Sequence, residues 1–143
     1  MILLDTNVLS EFMRPRPSAR VVAWLDEQPA EKVFTSAVSR AEIELGLALM
    51  PRSRRQEALR EAARSMFEED FAGRCLPFDE GAARHYARIV SARLKAGRPI
   101  SVEDAQIAAI ALEHKMRLAT RNTADFEHIA GLDVVNPWTA ETS

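Results

Sequence analysis

A chain of 143 residues is most simply one domain, and at that length folding buries about two thirds of the surface an unfolded chain exposes. Hydrophobic residues make up 47% and charged residues 28%, an ordinary balance for a soluble globular protein, and a net charge of −2 excludes a uniformly basic nucleic-acid binder. Cys75 is the only cysteine, which rules out an intrachain disulfide and a cysteine zinc cluster, and His85, His114 and His128 show no zinc-ligand spacing. No apolar stretch approaches the ~18 residues a membrane span needs. No basic n-region with an apolar h-region opens the chain. A reduced cytoplasmic setting is expected.

The chain opens Met1-Ile-Leu-Leu-Asp-Thr-Asn7, an apolar run ended by polar residues, which predicts a short central strand of a parallel sheet. Val8, Leu9, Phe12 and Met13 recur at helical spacing until Pro15 and Pro17. Ser18 can cap a second helix carrying Val21, Val22, Trp24 and Leu25. Val33-Phe34-Thr35 reads as a strand, followed by a helix from about 38 to 50 that Pro51 closes. Leu59, Ala62, Ala63, Met66 and Phe67 give residues 54–68 an amphipathic pattern, which Gly73 breaks. Cys75-Leu-Pro-Phe78 suggests an edge strand because of Pro77. Asp79 can cap a helix to about 96, and Ser101 one to about 115. A strand at 117–120, a short helix at 123–129 and a last strand at 134–135 complete the chain. Strands alternating with helices predict an α/β fold: one domain, with a central parallel sheet flanked by helices.

Open sheets of this kind bind ligands at the carboxyl ends of their strands, where Asp5 stands. Asp5, Thr6 and Asn7 are equally good helix caps, so this position alone does not decide between cap and ligand. Glu42 follows the second strand and shares a helical face with Leu45 and Leu49. That helix is apolar nearly all round, so it is expected in the core with the Glu42 carboxylate pointing inward. Ser39-Arg-Ala-Glu42 also matches a capping box, as does Ser101-Val-Glu-Asp104. Asp104 falls on the stripe of Ile107, Ala108 and Ala111, whereas Glu103 and Glu113 lie off it and are expected to be solvated. Asn122 ends the Leu118–Thr120 strand with Asp125 just beyond. Asn122 and Thr123 can equally cap the short helix after them. Gathered carboxylates repel one another unless a cation neutralises them. Oxygen donors without His or Cys select Mg²⁺ or Mn²⁺ over zinc. Phosphodiester hydrolysis is the chemistry these parts suit best.

Four separated segments carry a resemblance: Leu3-Leu-Asp-Thr-Asn-Val-Leu-Ser10, Ser36-Ala-Val-Ser-Arg-Ala-Glu42-Ile-Glu-Leu-Gly46, Asp104-Ala-Gln-Ile-Ala-Ala109 and Leu118-Ala-Thr-Arg-Asn122 with Asp125-Phe126. Together they resemble PIN-domain ribonucleases, and more closely the VapC and FitB type toxins of type II toxin–antitoxin pairs; Asn136-Pro-Trp138 resembles the close of FitB-like members. The resemblance implies a PIN domain over 1–138 with a C-terminal tail at 139–143. It also implies a homodimer and an acidic pocket holding Mg²⁺ or Mn²⁺. By position Asp5, Glu42 and Asp104 match the family's acidic triad, with Asn122 where many members carry a fourth acid. Asparagine there could weaken a second metal or pass the role to Asp125. Thr6 and Thr120 match supporting hydroxyls. The activity implied is endoribonuclease cleavage of RNA by a growth-arresting toxin. A small DNA-binding antitoxin of the VapB/FitA type would neutralise it, in a heterotetramer or larger assembly.

Charge is unevenly spread along the sequence. Residues 52–64 hold five arginines against two glutamates, and with Arg14, Arg16 and Arg20 they could contact RNA phosphates or be plain solvated charge. Two other classes compete with the nuclease. A haloacid-dehalogenase-type phosphatase would need an aspartate where Asn7 stands, and none of Lys32, Lys95 and Lys115 falls at a matching position. A catalytically weak or inactive binding module would use the acidic pocket only to dock a basic partner or nucleic acid, and Asn122, which leaves the site one acid short, keeps that reading open.

Overall fold

The strands are short and apolar: β1 (Ile2–Leu4), β2 (Val33–Ser36), β3 (Cys75–Leu76), β4 (Arg117–Ala119) and β5 (Val134–Val135). In the computed structural model, which describes residues 1–140, they form one sheet in the order β3-β2-β1-β4-β5, with every pairing parallel. The opening strand is therefore central. Its side chains alternate across the sheet, as the two-residue period of a strand requires. Ile2 and Leu4 join Val8, Val21, Trp24, Ile43 and Leu47 in one layer, while Leu3 joins Ile107, Ile110, Leu118 and Phe126 in the other. Burying each such side chain stabilises the fold by about 1.5–3 kcal/mol.

Six α-helices cover the sheet: α1 (Thr6–Phe12), α2 (Ala19–Asp26), α3 (Ala37–Leu49), α4 (Arg54–Ser65), α5 (Glu80–Lys95) and α6 (Val102–Glu113). Each is capped by a short oxygen-bearing side chain, in order Asp5, Ser18, Ser36, Ser53, Asp79 and Ser101. Such a cap is worth about 1 kcal/mol because it satisfies an N–H that the helix cannot. The first four helices supply the first layer, and α5 and α6 the second. No helix among the described residues is long and apolar enough to cross a membrane.

The structure corrects several expectations. The capping oxygen before α3 belongs to Ser36, which accepts from the Ser39 amide at 3.1 Å, so Ser39 lies inside the helix and the Ser39–Glu42 capping box does not form. The buried face of α3 is Ser39, Ile43 and Leu47, whereas Leu45 and Leu49 are 60% and 75% exposed. The helix is half-covered rather than enclosed. The amphipathic segment at 54–68 breaks after Ser65 into a π-helical turn, Met66–Asp70. That turn keeps Met66 and Phe67 buried while Glu68, Glu69 and Asp70 face solvent. β3 stops at Leu76 because Pro77 has no N–H to extend the ladder. The expected helix at 123–129 is a single 3₁₀ turn, Thr123–Phe126. Glu113 is half-buried rather than solvated: a Cβ on Gly81 would lie 1.9 Å from its Oε2, so that glycine makes room for the carboxylate. Thr139 and Ala140 continue from Trp138 through amide bonds to the Asn136 carbonyl at 3.1 and 2.8 Å, and residues 141–143 of the expected tail lie outside the described residues.

Candidate active site

Parallel strands deliver their carboxyl ends to one edge. Leu4 of β1 is level with Ala119 of β4, so Asp5 and Thr120, the next residue of each chain segment, meet there. The Asp5 amide donates to the Ala119 carbonyl at 2.9 Å, and the Thr120 hydroxyl donates to Asp5 Oδ2 at 2.7 Å. Asp5 Oδ1 accepts from the Thr6 amide at 2.8 Å. Asn7 spans the pair: its Nδ2 donates to Thr120 Oγ1 at 3.2 Å and to Asp5 Oδ2 at 3.4 Å, while its Oδ1 accepts the Arg121 amide at 3.1 Å. Asp5 is thus both the cap of α1 and a buried, hydrogen-bonded carboxylate at the strand end. The two readings of this residue are not alternatives.

Glu42 reaches the same edge from α3. Thr6 Oγ1 lies 2.9 Å from Glu42 Oε1 and 2.8 Å from Ser39 Oγ. A hydroxyl carries one hydrogen and a carboxylate only accepts, so Thr6 donates to Glu42 while accepting from the Ser39 hydroxyl. The residue as a whole is exposed, on the outward face with Leu45 and Leu49, so its carboxylate stands at a rim and not in the core. Asp104 lies in the first turn of α6, half-buried, and its amide donates to the capping Ser101 Oγ at 3.1 Å. Asp5, Thr6, Glu42, Asp104 and Asn122 line one cleft of about 480 Å³. The Asn122 side chain does not cap the turn that follows it. Instead, the Asn122 backbone N–H donates to Thr120 Oγ1 at 3.1 Å and its backbone carbonyl accepts from the Asp125 amide at 3.0 Å. Asp125 is exposed beside the cleft.

The carboxylates feel one another. Burial pushes Asp5 above the usual carboxylate range, partly offset by its bonds to Thr120 and Thr6, with repulsion from Asp125 adding to the rise. Asp104 is raised to about 6, first by loss of water and then by the negative charge of Asp5. Glu42 is raised as well: its carboxyl end, held against Thr6, loses water even though the residue is exposed, and Asp5 and Glu103 repel it. Acids pushed up together at one cleft favour an added cation or bound protons.

Could these residues hold a hard ion? Among the described residues no set of three His, Cys, Asp or Glu side chains is already drawn together to hold one. The donor chemistry nonetheless fits. Asp5 Oδ1, with its one bond from the Thr6 amide, keeps a lone-pair direction, every candidate ligand is oxygen, and the mutual repulsion is of the kind a cation relieves. Mg²⁺ commonly keeps several waters and binds through one or two carboxylates, so the acids need not converge on a point.

The PIN domain family matches residues 2–132. The chain belongs to the PIN domain family. It is 46% identical to Toxin FitB of Neisseria gonorrhoeae, over 96% of this chain and 99% of that protein. It is 42% identical to VapC ribonuclease Y4jK of Sinorhizobium fredii, over 96% of this chain and 98% of the relative. Among solved structures it resembles a chain of FitAB bound to an IR36 DNA fragment, with a TM-score of 0.88 at 46% identity, covering 99% of both chains. Membership lends the phosphatase alternative no support, and Asn7 argues against it in physical terms. The position a phosphatase would need as an acid is an amide that ties two strand ends together.

Sequence reasoning passed over several residues of this PIN domain's cleft. Asn7, in the cleft, and Ser39, which bonds to Thr6 behind it, read from the sequence only as turn or cap formers. Glu11, Arg121 and Trp138 also line the cleft, beside Arg14, which the sequence offered as an RNA contact. Glu11 is buried, accepting from the Ser18 amide at 3.0 Å and from Arg14 Nη1 at 3.2 Å. A signal existed for Glu11, a lone acid between Leu9, Phe12 and Met13. None existed for Arg121 and Trp138, whose meeting depends on how the β5 segment returns. The arginines of 52–64 sit elsewhere: Arg60 and Arg64 line a separate cavity of about 490 Å³ with Arg40, and Arg64 is paired with Glu61, Glu68 and Glu69.

Proposed function

We propose that the chain is a Mg²⁺- or Mn²⁺-dependent endoribonuclease that acts as the toxin of a type II toxin–antitoxin pair. The observation that carries this reading is the convergence of Asp5, Glu42 and Asp104, from three distant segments, on one cleft at the carboxyl edge of the sheet. Kinship with a VapC ribonuclease supports the activity, and kinship with Toxin FitB the role.

Asp5, Asp104 and Glu42 would hold the ion, which when bound supplies a lower water pKa and stabilises charge on a phosphoryl oxygen. The chain's own residues do the rest. Thr120, Thr6 and Asn7 fix the Asp5 carboxylate so that one orientation is presented to the cleft. Thr6 and Ser39 orient Glu42. Burial keeps bulk water from Asp5, which strengthens every interaction it makes with an incoming charge. Asn122 contributes a neutral oxygen or amide where a fourth acid would add charge, and Asp125 supplies negative potential from outside the cleft.

FitAB bound to DNA is the pattern for the partners: a VapB/FitA-like antitoxin, a homodimer of this chain, and a heterotetramer or larger assembly, all in the cytoplasm. The purified chain should cut RNA when Mg²⁺ or Mn²⁺ is supplied and stop when EDTA is added, and co-expressed antitoxin should abolish growth arrest. RNA left intact under every metal condition would refute the enzymatic reading and leave the inactive binding module in its place.

A further inference from the structure

An acidic cleft must still accept a phosphodiester, and two arginines line it. Arg14 is committed: its Nη1 lies 3.2 Å from Oε1 of buried Glu11. Arg121 has no carboxylate partner among the described residues, although Asp5 and Asp104 share its cleft. Its guanidinium carbon sits 4.9 Å from the centroid of the Trp138 ring. Both partners of that contact are anchored. The Arg121 amide donates to Asn7 Oδ1 at 3.1 Å, fixing the root of the side chain to the end of β1. The Trp138 amide donates to Asn136 Oδ1 at 2.9 Å, the preceding Pro137 is buried, and the indole packs partly into the core.

A guanidinium on an aromatic face uses its flat side for the contact and keeps its N–H edge for hydrogen bonds, and that edge matches a phosphate's oxygens two at a time. Holding the group in place beforehand reduces the ordering cost of binding. We propose that Arg121 anchors a backbone phosphate of single-stranded RNA in the acidic cleft, and that Trp138 is the positioning residue that holds the guanidinium ready. The inference rests on the nuclease reading and adds to it the residue that lets a polyanion enter beside three carboxylates.

The test uses an RNA that the wild-type chain cuts, and a fluorescein-labelled fragment of it for binding to the Asp5→Asn chain. Arg121→Ala, an exposed substitution, should raise KM and the dissociation constant about tenfold with kcat changed less. It should also flatten the log–log salt dependence of binding by about 0.7, the loss of one phosphate contact on a single strand. Arg121→Lys should restore the salt slope and only part of the affinity. Trp138→Leu, checked for an unchanged melting profile, should weaken binding about threefold with the salt slope intact; if it melts early, Trp138→Phe replaces it and should fall between. Wild-type KM and salt slope in Arg121→Ala would overturn the inference while leaving the nuclease reading standing. Normal cleavage by Arg121→Ala with loss of a protein partner would assign the guanidinium to that partner and equally overturn it. A wild-type chain that neither binds nor cuts any RNA would bring down the nuclease reading, and the inference with it.

Discussion

The Thr120 hydroxyl donates to Asp5 Oδ2 at 2.7 Å, joining two residues 115 positions apart at the ends of neighbouring strands. This bond lowers the Asp5 pKa against the larger upward push of burial. Thr120→Val keeps the shape and removes the donor. It should cost about 1–3 kcal/mol in denaturant unfolding, because a buried carboxylate loses a partner. The acid limb of RNA cleavage should move to higher pH, since Asp5 then ionises later. Thr120→Ser should restore both, and an unshifted limb in Thr120→Val would mean that the hydroxyl does not tune Asp5.

Asp104 fixes the sign of a pH effect on stability. Its folded pKa is about 6, above the ordinary 3.8, so the folded chain holds the proton more tightly than the unfolded one. Stability from this residue is therefore greatest below about pH 4 and declines as pH rises through 6. Asp104→Asn removes the decline. The side chain is half-exposed, so solvent screens the effect to about 1 kcal/mol, or ~3 °C in Tm for a domain of this size. The substitution should raise Tm at pH 7.5 by that amount and leave it unchanged at pH 4. A rise at both values would show that the gain is not the removal of a charge. In the wild type Mg²⁺ should also raise Tm, and more at pH 7.5 than at pH 5.

Position 122 tests how charge governs the ion. Asn122→Asp adds a negative group to the cleft, which should tighten Mn²⁺ binding severalfold in a titration and lift the acid limb of activity further. An unchanged titration would place residue 122 outside the reach of the ion.

The two faces of α3 give a packing test. Leu47 is buried and Leu49 is 75% exposed. Leu47→Ala should cost about 2–5 kcal/mol, and Leu49→Ala less than about 0.5 kcal/mol in the fold of the chain itself. Equal losses would contradict the face assigned to Glu42.

The same helix shows what a sequence can and cannot carry here. The strand β1, its central place and the position of Asp5 were legible because an unbroken apolar run ending in polar residues has few other meanings in an alternating α/β chain. Asp104 was legible from the stripe of Ile107, Ala108 and Ala111, although Ala109 and Ile110 are buried as well, so α6 is enclosed nearly all round and the place of Asp104 in its first turn brings it to the cleft. Glu42 was found for a reason that did not hold. On α3 leucines and alanines occur all round, so periodicity alone does not distinguish the Ile43–Leu47 face from the Leu45–Leu49 face. Which one is buried depends on the neighbouring sheet and α4. The bonds from Asn7 to Thr120 and from Thr6 to Glu42 are tertiary, and no local pattern encodes them. The π-helical turn at 66–70 was hidden for a related reason: its apolar residues keep nearly helical spacing while the backbone widens.

Cleavage of one RNA by wild type and Asp5→Asn, prepared identically and assayed with Mg²⁺ at pH 7.5, tests the central claim most directly. Asp5→Asn keeps the size, its one carbonyl oxygen can still accept from the Thr6 amide, and its NH2 can donate to Thr120 Oγ1 where the carboxylate accepted, so circular dichroism should show an intact fold. Cleavage should fall at least about a hundredfold, with Mn²⁺ binding weakened in parallel. Equal, EDTA-insensitive cleavage by both proteins would contradict it.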